Sequence, residues 1–166
     1  MDKEDKLKMN SFLSFKLGEE IFAANVSKVL NILEMVKITK VPKCPDYMKG
    51  VINLRGSILP VIDTRIKLGM TVTEMTANTC ILVLDIDYQK DSIHIGGLVD
   101  SVQEVLEIDP DKILPPPNIG SKFQSEFIYG MYKFKEDQFI MLLDMDKLFS
   151  TEDFENINDI TPIVEY

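Results

Sequence analysis

Catalysis requires a proton-transfer group or a nucleophile beside its base, and few side chains in this sequence qualify. The one histidine, His94, alternates with Ile93 and Ile95 as a strand residue would, and no spacing supplies the partner a general base needs. Cys44, Cys80 and His94 are too scattered to form a zinc site, which takes three or four ligands, and one cysteine pair makes no disulfide framework. Asp63-Thr64 gives half of an aspartic-protease signature, but Arg65 stands where the active-site loop needs glycine, and Asp144 continues as Met145-Asp146. Both aspartates are better read as caps of short helical turns, accepting backbone N–H bonds. Gly96-Gly97 lacks both the dinucleotide fingerprint and a P-loop lysine, and marks a bulge or close strand packing. Ser14 and Ser57 lack the G-x-S-x-G setting of a hydrolase nucleophile. A small β hydrolase is therefore the weak alternative, and the remaining chemistry is recognition.

Its best candidate is Arg55, in Asn53-Leu54-Arg55-Gly56 between two apolar arms, where the glycine provides the positive φ of a tight turn. A guanidinium held on a short loop can fork onto a carboxylate or a carbonyl with little loss of freedom. On spacing alone, the plainer reading of Arg55 as a solvated turn residue stands first. Residues 37–67 carry seven basic side chains (Lys37, Lys40, Lys43, Lys49, Arg55, Arg65, Lys67) against Asp46 and Asp63, in a chain of net charge −9. Such a segment can steer an acidic partner, or it can be scattered over a solvated surface. The overall acidity argues against nucleic acid.

The elements that position these residues are short β-rich runs: 11–17, 20–24, 50–54, 58–63, 80–88, 92–100, 127–134 and 138–144, punctuated by Gly, Asn, Asp and Lys. Ile81-Leu82-Val83-Leu84 and Ile140-Met141-Leu142-Leu143 are apolar at consecutive positions, as strands buried on both faces are. With 166 residues and 45% hydrophobic content the chain can bury a real core. Residues 1–10 and 151–166 read as tails. The start alternates Lys with Asp and Glu and carries no signal-like stretch, and no run approaches a membrane span, so a cytoplasmic protein with no direct membrane insertion is expected.

An internal repeat organises the middle. Val26-x-x-Val29-Leu30-x-Ile32 matches Val102-x-x-Val105-Leu106-x-Ile108. Each copy is followed by a proline-containing stretch, a glycine (Gly50 or Gly130), an apolar hairpin and an aspartate (Asp63 or Asp144). Two related units of about five strands each predict an all-β chain of two small packed barrels, approximately residues 11–70 and 78–150, with exchange of terminal strands left open.

Lys49-Gly50-Val51-Ile52-Asn53-Leu54-Arg55-Gly56, continuing to Pro60-Val61-Ile62-Asp63, resembles the K-G-V-x-N-L-R-G-x-x-x-P-[VI]-[VI]-D signature of the CheW family of chemotaxis coupling proteins. Gly97-Leu98-Val99-Asp100-Ser101-Val102-Gln103-Glu104-Val105 resembles the family's G-x-x-V-D-x-V-x-E-V segment, and the likeness runs from about Phe12 to Ser150. The resemblance implies a CheW-like domain over 11–150, built as two packed five-stranded SH3-like barrels with short helical turns. It also implies a non-catalytic adaptor, without cofactor, joining the regulatory domain of a CheA-type histidine kinase to the cytoplasmic tip of methyl-accepting chemoreceptors. A chemosensory-type pathway with another output is the nearer alternative; a domain fused to the kinase or to a receiver is the more distant one. Carried over residue by residue, partner contacts are expected at Arg55 with Asn53, Leu54 and Gly56, and at Val26, Val29, Val99 and Val102 near the groove between barrels. Asn31 departs from the pattern, since many members carry Glu there.

Overall fold

The computed structural model describes residues 9–72, 74–116 and 126–149. The expected tails fall outside these residues, apart from Met9 and Asn10. Ten strands form two five-stranded sheets. The first orders β8 (Ser101–Glu107), β1 (Ser11–Leu17), β2 (Glu20–Asn25), β10 (Gln138–Leu143) and β9 (Ile128–Lys135). The second orders β3 (Val29–Glu34), β6 (Cys80–Tyr88), β7 (Asp91–Val99), β5 (Ser57–Asp63) and β4 (Met48–Leu54). Helical turns α1 (Thr64–Lys67) and α2 (Met145–Leu148) follow β5 and β10. β3 and β8, which coincide with the repeated valine motif, are strands that the sequence reading did not mark.

The sheets do not follow the two halves of the sequence. β1 and β2 pair with β8 and β10, while β3 and β5 pair with β6 and β7. Each sheet is thus a hairpin from one half set between three strands of the other, and the seam includes the parallel pairs β2–β10 and β5–β7. The repeat is therefore an exchanged pair. In each sheet the two end strands meet through the segment that follows the first of them: Thr39 bridges Val51, and Leu114 bridges Met131. The repeat glycines make these bridges sterically feasible. A Cβ on Gly50 would overlap the Thr39 carbonyl, and one on Gly130 would overlap the Ile113 side chain.

Alternate residues of the central strands serve different cores. Ile81 and Val83 point into a cluster with Ile52, Leu59, Val61 and Leu98 inside the second sheet. Leu82 and Leu84 join Phe15, Leu17, Phe22, Leu143 and Phe149 in a core shared by both sheets. Ile140 and Leu142 fill the first sheet with Phe12, Ala23 and Ile108, while Leu143 faces the shared core. This is the two-faced burial that the apolar runs predicted.

Two ionic clusters are built on the second residue of each helical turn, a cation in α1 and an anion in α2. Arg65, 1% exposed, forks onto Asp63 (Nε–Oδ1 3.0 Å, Nη2–Oδ2 2.9 Å) and reaches Asp100 at 2.9 Å. Asp100 in turn accepts the Gly18 N–H of the β1–β2 turn at 2.6 Å, so the cluster ties the second sheet to the first. The Asp63 bonds raise the Arg65 pKa above its ordinary value against the opposing cost of burial. On the other side Asp146 of α2 binds Lys28 at 2.9 Å and the Asp87 N–H at 2.9 Å, and Lys28 also reaches Asp87 at 3.2 Å. Burial lowers the Lys28 pKa, but hydrogen bonds to Asp146 and Asp87 more than reverse this. Both aspartates of the repeat do cap their turns: Asp63 accepts the Arg65 N–H and Asp144 the Lys147 N–H.

Candidate partner-binding site

The β4–β5 hairpin turns on two residues, Arg55 and Gly56, with Leu54 paired to Ser57. Both have positive φ, 52° and 85°, as the type I′ turns favoured in two-residue hairpins require. Sequence reasoning gave that conformation to the glycine alone. A left-handed residue other than glycine costs on the order of 1–2 kcal/mol, least for Asn or Asp. The Asn53 side chain braces the turn by accepting the Gly56 N–H at 2.9 Å, so its place in the motif is explained by the loop it holds. Among the described residues Arg55 makes no hydrogen bond or ion pair, and its side chain is exposed.

Lys37, Lys40 and Lys43 of the basic segment are exposed like Arg55, but the others are engaged. Arg65 is buried in its ion pairs, Lys49 approaches Asp63 at 3.8 Å, and Lys67 lies over the Tyr47 ring at 4.7 Å. The segment is thus not one positive face, because several of its charges are spent inside the protein. Arg55 stands apart from them.

Beside Arg55 lies a groove of about 320 Å³ lined by Leu30, Asn31, Leu54, Ile58, Val83 and His94, among others. A second hollow of about 330 Å³ shares Leu30 and Asn31 with it and is lined further by Val26, Val29, Ile32 and Val105. The trough thus brings Arg55, Leu54, Asn31, Val26 and Val29 onto one surface. Val102 is half-buried, packed against the shared core, and lines neither hollow. Val99 is 0% exposed in the shared core, on a strand flanked on both sides, and lines neither hollow.

The trough also contains residues that sequence reasoning passed over. Leu30 is 51% exposed and Val105 60%, and Ile32 and Ile58 join them as large apolar side chains open to water. Apolar residues on both faces of β3 were the available signal, but the sequence does not say which face is covered. His94 pairs across the ladder with Asp85, its Nε2 3.7 Å from Oδ1. It is exposed at the groove wall. A separate hollow of about 450 Å³ is walled by Lys67, Asp87, Asp146 and Lys147, charges of both signs, with no nucleophile and base side by side. Among the described residues no group of three or more His, Cys, Asp or Glu is placed to hold a metal ion, and no helix is long and apolar enough to cross a membrane.

An exposed apolar trough beside an arginine that has no partner among the described residues is the kind of surface found at protein interfaces. Comparison with known proteins identifies the family. The model of the CheW-like domain matches residues 11–153. The chemotaxis protein CheW of Rhizobium meliloti is 34% identical over 143 residues, covering 86% of this chain and 89% of that one. Its counterpart in Thermotoga maritima is 34% identical over 144 residues, covering 87% and 90%. Among solved structures, the scaffolding protein TtCheW of Thermoanaerobacter tengcongensis superposes with a TM-score of 0.75 at 31% identity, over 87% of this chain and 94% of that one. On the strength of its sequence signature, its two exchanged sheets and these relatives, the chain belongs to the CheW-like domain family.

Proposed function

We propose that this protein is a non-catalytic adaptor of chemotaxis signalling, joining a CheA-type histidine kinase, through its regulatory domain, to the cytoplasmic tip of a methyl-accepting chemoreceptor. The observation that carries this reading is the left-handed, unpaired Arg55 at the end of an exposed apolar trough, in a chain whose relatives are named chemotaxis and scaffolding proteins. Backbone strain at a residue without an internal partner is explained when the side chain has work outside the molecule. An adaptor of this kind works by differential affinity: each partner shifts the other's binding by the coupling free energy between the two sites, and no chemistry is needed. A cytoplasmic location, at the membrane-associated receptors, goes with this reading.

The test compares wild type with Arg55→Ala in titrations against the kinase regulatory domain and the receptor tip. The substitution is expected to weaken at least one partner by about 1–2 kcal/mol, the scale of an interface hot spot. Equal affinities for both partners in the two proteins would remove Arg55 from the site.

A further inference from the structure

We infer that in this chain the acid facing Arg55 is supplied by the partner, and that Asn31 is the residue that makes this so; the inference rests on the adaptor reading above. Asn31 and Arg55 line the same groove, and among the described residues no Asp or Glu lines it with them. The Asn31 carboxamide is already engaged, its Oδ1 accepting the Ile32 N–H at 2.8 Å, and Arg55 has no partner among the described residues. Asp85, opposite His94 in the ladder, has its Oδ1 3.7 Å from the imidazole and does not line the groove. On a protein of net charge −9, the groove is therefore a place where a cation stands uncompensated.

An uncompensated guanidinium next to exposed apolar side chains selects a ligand carrying both complements: a carboxylate for Arg55 and an apolar anchor for Leu30 and Ile58. The trough continues past Asn31 to Ile32 and Val105, and it is lined by side chains, which suits the row of side chains on one face of an amphipathic helix. The occupant is thus a receptor-tip helix with an acidic residue beside its apolar stripe. A glutamate at position 31 would place a competing carboxylate inside the groove, and Asn31 leaves that position to the partner.

The experiment titrates the full-length protein against a receptor-tip fragment and, separately, the kinase regulatory domain, using wild type, Asn31→Glu, Asn31→Gln, Arg55→Ala and the Asn31→Glu/Arg55→Ala double variant. Asn31→Glu is expected to weaken the receptor tip about tenfold, Asn31→Gln to leave it unchanged, and Asn31→Glu to add nothing once Arg55 is gone. Equal losses in Asn31→Glu and Asn31→Gln, a penalty that survives in the Arg55→Ala background, or a loss confined to the kinase domain would overturn the inference. The Arg55 side-chain Nε–H resonance provides a readout independent of any partner. It should exchange freely in wild type and become protected in Asn31→Glu; protection already present in wild type would overturn the inference by itself. If wild type binds neither partner, the adaptor reading fails, and with it the assignment of the receptor tip as occupant, whatever the resonance shows.

Discussion

Arg55 is placed where stability would prefer another residue. Its φ of 52° is one that asparagine tolerates better, and the Arg55–Gly56 pair forms a turn for which Asn-Gly is the favoured sequence. Arg55→Asn is therefore expected to stabilise the isolated protein by up to ~1 kcal/mol, raising Tm by about 2–4 °C in a chain of this size, while weakening the partner that Arg55 serves. A lower Tm would mean that the arginine supports the fold. The turn itself was legible, because a glycine between apolar arms has one common use. The contrast with Arg65 shows what was not. In sequence the two arginines are members of the same basic segment, yet Arg65 is buried against Asp63 and Asp100 while Arg55 is solvated. Part of the difference comes from Asp100, 35 residues away, which only the tertiary structure brings within reach.

At the scale of elements, the repeat was readable because both copies solve the same steric problem. A strand's continuation must cross close to the β4 or β9 backbone, and a glycine is needed at the crossing. The two sites differ in what lies opposite. At Gly130 the obstacle is the Ile113 side chain, which can shift, whereas at Gly50 it is the Thr39 carbonyl, and φ there is 144°. Gly130→Ala should cost about 1–3 kcal/mol in urea unfolding and Gly50→Ala distinctly more. A neutral Gly50→Ala, or the reverse order, would show that the bridges are not what the glycines permit. β3 and β8 escaped the sequence reading because Val, Leu and Ile recur on both of their faces, between exposed polar residues, without a clean alternation. What makes them strands is pairing with β6 and β1, a long-range contact that overrides local pattern.

For the whole molecule, the exchanged hairpins decide how the protein comes apart. Each sheet contains strands from both halves of the sequence, and the shared core draws Phe15, Leu17 and Phe22 from one half and Leu84, Ile86, Ile95 and Leu143 from the other. A cut in the connection between α1 and β6 would leave the first half with hairpins β1–β2 and β4–β5 plus a lone β3, and no complete sheet. The second half would be equally incomplete, with apolar faces and unpaired strand edges on both. Fragments 1–77 and 78–166 should therefore each lack cooperative unfolding and dispersed amide resonances when alone. Mixed at equal concentration they should recover the β-sheet circular dichroism of the intact chain and its single unfolding transition, since all the contacts can re-form between chains. The two ionic clusters favour the same register, because Arg65 in the first fragment seeks Asp100 in the second, and Lys28 seeks Asp87 and Asp146. A cooperative melt from either fragment by itself would mean that the seam between the halves, including the parallel pairs β2–β10 and β5–β7, is an accessory to two independent units. In that case a partner bound at Arg55 on the second sheet would have no obligatory route to the first.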